Sequence, residues 1–278
     1  MNQKIMPQDL WLDLLKIRSQ APLIHSITNF VAMNFNANIL LALGASPVMA
    51  HSIEEVEDMV GIAQSLVLNI GTLEPDWIYA MRLAKTKAHI RGLPVILDPV
   101  GAGATPYRSQ CVEELISKDP PNIIRGNASE IMSVAGLSGF TKGVDSSIAS
   151  DDAILAAFTL AKKINGVVCI SGKIDHVVDH LGQHAMLSNG SPLMTKVTGV
   201  GCSATAIIGA FSAVQPNFFR ATLGAMAYLS VAGEVAAKKT ILSGSGSGTY
   251  QINLLDAIEL LEQSDFNSQL NMKFFHKI

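Results

Sequence analysis

The chain is predicted to fold as an α/β protein, with a mostly parallel central sheet covered by helices on both sides. Three features of the sequence predict this. Short apolar runs rich in β-branched residues recur along the first two thirds of the chain, at Leu23 to Ile27, Pro47 to Met49, Leu66 to Ile70, Pro94 to Leu97, Asn122 to Ile124 and Val167 to Ile170. These runs are continuous rather than alternating, as expected for strands buried on both faces. Between them lie stretches with helical spacing and good helix formers: Phe30 to Leu43, Ile53 to Ser65, Glu74 to Arg91 and Ser150 to Asn165. The segment His176 to Leu187 differs, and reads as two short strands joined by a turn at Leu181-Gly182. From Val200 onward the chain is expected to be almost wholly helical. The patch Ser243 to Gly248 alternates Ser and Gly and reads as a flexible loop between two helices.

Composition narrows the functional classes. With 278 residues, 49% hydrophobic and 15% charged, the chain can bury a large core, and a single domain over residues 1–278 is expected. A formal net charge of −3 offers no basic footprint, so no nucleic-acid partner is expected. The uncharged stretch Val197 to Phe219 is broken by Gly199, Gly201, Ser203, Thr205, Gly209, Ser212 and Pro216, and reads as a buried helix rather than a membrane span. Pro7, Gln8 and Asp9 interrupt the start, so no export signal and no membrane association are expected. Cys111, Cys169 and Cys202 form no CxxC pair, which predicts free thiols and a cytoplasmic location.

In open parallel sheets, ligands bind beyond the carboxyl ends of the strands. The polar residues that follow the apolar runs are Asn29, Thr72, Asp98, Arg125 and Ser171, a set suited to a polar, phosphorylated ligand. Thr198-Gly199-Val200-Gly201-Cys202 precedes a helix whose inward positions, Cys202, Ala206, Gly209 or Ala210, and Ala213, are small. Glycines before the first turn leave backbone N–H groups facing outward, where the helix dipole also favours an anion. The same glycines equally serve a tight turn. The dinucleotide pattern is matched only loosely, because the next acidic residue is Glu234, in a helical region with no intervening strand. No Walker A sequence is present.

Seven ordered segments together resemble the hydroxyethylthiazole kinase family of the ribokinase-like group. They are His25 to Asn29, Ala42 to Met49, Asn69 to Leu73, Leu97 to Ala104, Ile124 to Glu130, Lys142 to Ser146 and Val197 to Cys202. The resemblance implies a ribokinase-like three-layer α/β/α sandwich and ATP-dependent phosphorylation of 4-methyl-5-(2-hydroxyethyl)thiazole in thiamine salvage. It also implies Mg²⁺ and a homotrimer with active sites between subunits. Two residues depart from the family pattern: Val200 replaces a smaller or hydroxylated residue, and Ser171 replaces Thr.

Each candidate has a chemical reading and a plainer one. Ribokinase-like enzymes generally place an aspartate base where this chain, like the thiazole kinases, has Cys202. A thiolate at a helix start can accept a proton, a thiol can only position the alcohol, and the plain alternative is a compact apolar residue. Asp98 can hold Mg²⁺ or serve only as a turn residue before Pro99. Glu130 is a second metal candidate, although Asn127 and Glu130 also fit a capping box. Arg125 and Ser171 are expected at the ATP phosphates and nucleotide; an ion pair and turn chemistry are the alternatives. Met49, Asn29 and Gly199 are expected around the thiazole, while Thr72 is equally a helix N-cap. His176, His180 and His184 recur every four residues, but on a hairpin they read as solvated rather than metal-binding. A hydroxymethylpyrimidine acceptor and a non-catalytic thiazole-binding protein remain open alternatives at this stage.

Overall fold

The computed structural model describes residues 5–137 and 151–275. The segment 142–146 that carries part of the family resemblance therefore lies outside the described residues, as does Ser150. Helix α1 (Pro7–Gln20) leads into β1 (Leu23–Ile27), α2 (Met33–Leu43) and β2 (Ser46–Val48). Then follow α3 (Val56–Ile62), β3 (Ser65–Asn69), α4 (Pro75–Arg91), β4 (Val95–Asp98) and α5 (Pro106–Ser117). The next elements are β5 (Ile123–Asn127), α6 (Ala128–Val134), α7 (Asp151–Ile164) and β6 (Val167–Ser171). A hairpin of β7 (Asp175–Asp179) and β8 (His184–Leu187) precedes the helices α8 (Val200–Val214), α9 (Phe218–Leu242), α10 (Ser247–Leu260) and α11 (Gln263–Gln269). The described chain closes on β9 (Met272–Phe275).

The nine strands among the described residues form one sheet in the order β2-β1-β3-β4-β5-β6-β7-β8-β9. The pairings from β2 to β6 are parallel, and those from β6 to β9 are antiparallel. Strand alternation divides the core between the two faces. Ile24, Val67, Ile96, Ile123 and Val167 pack with the helices at the chain ends, α1, α2 and α8 to α11. Ile27, Leu66, Leu68, Leu97, Ile124 and Val168 pack with α3 to α7. The architecture is thus the α/β/α sandwich expected from the sequence. No helix among the described residues is long and apolar enough to cross a membrane.

Several boundaries differ from the sequence reading. Helix α2 starts three residues later, because the chain first turns back at Asn29, whose carbonyl accepts from Ala32 and Met33. Strand β5 extends to Asn127, since it stays in register with β6, Arg125 opposite Cys169 and Asn127 opposite Ser171. The tail is not wholly helical: Met272–Phe275 pairs with β8, and four residues on an exposed edge carry too little pattern to be read as a strand. Helix α10 begins at Ser247, inside the Ser/Gly patch, so the connection from α9 is shorter than expected. The histidine hairpin is not solvated either. His176 and His184 are buried, with Nδ1 of one 3.0 Å from Nε2 of the other, and His184 stacks on Phe275. Phe275 of the missed strand β9 and Phe158 of α7 pack on His184, which in turn lies against His176.

Helix α8 packs across β1, β3 and β4, and the small residues along it permit that approach. A Cβ at Gly209 would stand 2.5 Å from Val67 Cγ2 and 3.3 Å from both Ile24 Cγ2 and Ser65 Oγ. Gly209→Ala is therefore expected to destabilise the protein by about 1–3 kcal/mol through overpacking. Denaturant titration checks this, and part of the loss should return when Val67→Ala is added. A Gly209→Ala protein as stable as wild type would contradict the close approach.

Candidate active site

Strands β2 and β3 flank β1, so the chain reverses its direction of travel across the sheet at β1/β3. The crevice beyond the carboxyl ends of these two strands is where such sheets bind ligands. Asn29 follows β1, Asn69 ends β3, and Asp98 ends β4, in register with Asn69. The first turn of α8 comes down over this edge, bringing Cys202 and, three residues on along the same face, Thr205.

These side chains form one hydrogen-bonded chain. Asn29 Nδ2 donates to Cys202 Sγ at 3.3 Å and to Asn69 Oδ1 at 2.8 Å. Asn69 Nδ2 donates to Asp98 Oδ2 at 2.9 Å, and Thr205 Oγ1 donates to the same oxygen at 2.8 Å. Asp98 is 1% exposed, and its other oxygen, Oδ1, is buried with no protein partner. Arg125 Nη1 stands 3.8 Å from Asp98 Oδ2 and donates to the Gly201 carbonyl at 2.8 Å, while Nη2 donates to Ser171 Oγ. The plain readings of Asp98 as a turn residue and Arg125 as a surface ion pair do not hold: both are built into the edge of the sheet.

Burial sets the charge states. It raises the Asp98 acid to about 6, opposed by the Arg125 guanidinium and reinforced by Glu130. Asp175, which accepts from Gly172 N and Ser230 Oγ, is likewise pushed by burial to about 6, so Arg125 lies in the field of two buried carboxyls. Burial also pushes the Cys202 thiol up, with the Asp98 charge adding to it; donation from Asn29 and Asn69 only partly offsets this. Of the two chemical readings of Cys202, the arrangement favours a neutral thiol.

Gly199 caps α8 at φ +89° and supplies no side chain to cap the first-turn N–H groups, an arrangement suited to an anion. A Cβ there would stand 3.3 Å from Phe35 Cδ1, so both backbone conformation and packing against α2 require glycine. Val200 turns into the core instead of toward the open face. Glu130 completes the capping box: Oε2 accepts from Asn127 N and Oε1 from Gly101 N, both at 2.8 Å. Met49 stands beyond the edge strand β2, half-buried against the apolar core and outside the polar chain. Thr72 is not a helix cap. Glu74 holds that position in α4, and the Thr72 hydroxyl accepts from Phe30 N.

An Mg²⁺ ion is compatible with this edge. Mg²⁺ keeps several waters and is typically held by one or two carboxylates plus substrate phosphates. Asp98 Oδ1 is an unpartnered buried oxygen of that kind, and Glu130 stands near enough to act on Asp98 electrostatically. Among the described residues no group of three or more His, Cys, Asp or Glu forms an all-protein cage.

Three contributors were not singled out from sequence. Asn69 was hidden in a run read as apolar strand, and Thr205 had only its spacing from Cys202 as a signal. Arg108 donates to the carbonyls of Ile70, Val100 and Gly71 at 2.7, 2.8 and 2.9 Å, tying the loops after β3 and β4 together. It lies in helix α5, just beyond the segment Leu97 to Ala104, and carries no motif of its own, so nothing in the sequence marked it.

Comparison with known proteins bears on the family and the fold. The model of the hydroxyethylthiazole kinase family matches residues 14–264. A hydroxyethylthiazole kinase of Leptothrix cholodnii is 60% identical over 264 residues, 95% of each chain. The solved hydroxyethylthiazole kinase of Pyrococcus horikoshii OT3 is 34% identical with a TM-score of 0.87, covering 97% of this chain and all of that one. A ribokinase-like superfamily protein of Enterococcus faecalis is 14% identical with a TM-score of 0.59, covering 85% of each chain, and supports the fold.

A titration checks the electrostatics of the site. Because the folded-state value of Asp98 lies above the 3.8 of a free carboxyl, the fold favours the acid. The stability this group contributes is full below 3.8 and is lost as pH rises through about 6. Asp98→Asn should therefore melt above wild type at neutral pH, with the gap closing as the pH falls through that window. A wild-type protein at least as stable as the variant at neutral pH would contradict the buried, disfavoured carboxylate.

Proposed function

The chain belongs to the hydroxyethylthiazole kinase family, and from that premise we propose that it transfers the γ-phosphoryl group of ATP to the hydroxyl of 4-methyl-5-(2-hydroxyethyl)thiazole. The observation that carries this reading is the convergence of an uncapped helix start, an arginine, a buried carboxyl with one open oxygen and a thiol at the β1/β3 crevice.

Phosphoryl transfer asks little covalent chemistry of the protein; it asks for alignment and for charge stabilisation at the phosphoryl oxygens. In this reading Arg125 and Ser171 hold ATP, with the guanidinium already fixed by Gly201 O and Ser171. The N–H groups at the start of α8 face the transferred group. The alcohol lies between Asn29, Gly199 and Cys202, with Met49 against the sulfur-containing ring. Cys202, as a thiol, orients the hydroxyl instead of removing its proton; the alcohol oxygen bonds to the γ-phosphorus as the bond from that phosphorus to ADP breaks, and the hydroxyl proton passes to an oxygen of the transferred phosphoryl group and from there to water. Asp98 and Glu130 would hold Mg²⁺, which when bound neutralises charge on the ATP phosphates. We further place the protein in thiamine biosynthesis, in the cytoplasm, as a homotrimer whose chain works as one catalytic domain over residues 1–278.

Purified protein with ATP, Mg²⁺ and the thiazole alcohol should form thiazole phosphate, followed by mass spectrometry, and form none without ATP. Cys202→Ala should slow this by about 10- to 100-fold, a loss of positioning rather than of a base. Thiazole that binds without turnover would end the kinase reading. An unchanged rate in Cys202→Ala would remove the thiol from the chemistry.

A further inference from the structure

The amide of Asn29, which meets the Cys202 sulfur, has no freedom to turn. Its Oδ1 accepts from Ala32 N at 3.0 Å, which fixes which end of the amide faces the site. Its Nδ2 is shared between Cys202 Sγ and Asn69 Oδ1. Asn69 is fixed in turn: Oδ1 accepts from Gly71 N at 2.9 Å, and Nδ2 is held by Asp98 Oδ2. Gly71 closes the arrangement sterically. A Cβ on it would stand 2.5 Å from Asn29 Nδ2, 2.7 Å from Cγ and 2.8 Å from Cβ, so Asn29 keeps its place only because residue 71 has no side chain.

We propose that Asn69 is a positioning residue for the transfer: it fixes the Asn29 amide against Cys202 and ties that thiol's side of the site to the Asp98 carboxyl, with Gly71 as the steric backstop. Buried amides whose donors and acceptors are all satisfied have one orientation, because turning either one leaves a buried polar group unpaired. Asn69 does not touch the alcohol in this arrangement. It acts mainly through Asn29, which makes the closer bond to the sulfur, with a weaker direct effect on the thiol, and its two ends connect the part of the crevice assigned to the acceptor with the part assigned to metal and phosphate. The kinetic consequences rest on the kinase reading above, whereas the geometry of the thiol does not.

The test compares full-length wild type with Asn69→Ala, Asn29→Ala, their double variant and Gly71→Ala. Asn69→Ala is expected to lower kcat by about 10- to 100-fold while KM for ATP stays within about twofold. In the Asn29→Ala background the same substitution should cost less than about threefold, because the main route of action is gone and only the weaker direct effect on the thiol is left. Gly71→Ala reaches the same amide from the other side and should reproduce the kcat loss; it serves also if Asn69→Ala proves unfolded. Losses that multiply in the double variant, or a folded Asn69→Ala with wild-type kcat, would overturn the proposal.

Alkylation separates this from the kinase reading. Cys202 is half-buried whereas Cys111 and Cys169 are buried, so iodoacetamide labelling followed by peptide mass reports on Cys202. Asn69→Ala and Gly71→Ala should each change its labelling rate by at least about threefold, since Asn29, the donor to the sulfur, is no longer held in place. If wild type forms no thiazole phosphate, the kinase reading fails and labelling alone decides the positioning role. Unchanged labelling in both folded variants would then sink it.

Discussion

Asp98 is a carboxyl group taken almost completely out of water at the end of a central strand, and much of the site is arranged around that burial. A buried carboxylate costs several kcal/mol unless donors meet it. Here Asn69, Thr205 and Arg125 approach one oxygen and leave the other open. Each of these donors carries a further connection. Thr205 belongs to α8, Arg125 holds the Gly201 carbonyl in the first turn of the same helix, and Asn69 leads through Asn29 to Cys202. Solvating this one carboxyl thus locks the start of α8 over the carboxyl edge of the sheet. Gly209, one turn further along the same face of the helix, lets it lie close enough for those bonds to form.

The same geometry sets the electrostatics. The uncapped N–H groups of α8 and the guanidinium of Arg125 supply positive character at one point, while Asp98 and Asp175 keep the arginine in place without saturating its charge elsewhere. Burial of Asp98 beside Cys202 works against a thiolate. The result suits a reaction in which charge is steadied and reactants are aligned, and it suits poorly one that needs a cysteine nucleophile. A second polar bridge supports the frame: Ser203 Oγ donates to Asn36 Oδ1, and Asn36 Nδ2 to Thr28 Oγ1, pinning α8 to α2 and to the turn that carries Asn29.

Buried strands and helix starts left a strong local record, since continuous β-branched runs, glycine before a helix and the Asn127/Glu130 spacing each depend on residues close in the chain. The α/β class, the parallel half of the sheet, the hairpin after β6 and the residues Asn29, Asp98, Arg125, Ser171, Gly199 and Cys202 at the carboxyl edge were all legible that way. The edge strand β9, the burial of His176 and His184 beside it, and the roles of Asn69, Thr205, Gly71 and Arg108 were not. Each depends on partners far off in sequence: β8 meets β9 across four helices, and Thr205 meets Asp98 across 107 positions. Composition and spacing decided which kinds of residue stand at the ends of the strands. Strand order and the descent of α8 decided which of them meet, because a hydrogen bond between two side chains is a property of where the backbone carries them and leaves no pattern along the chain.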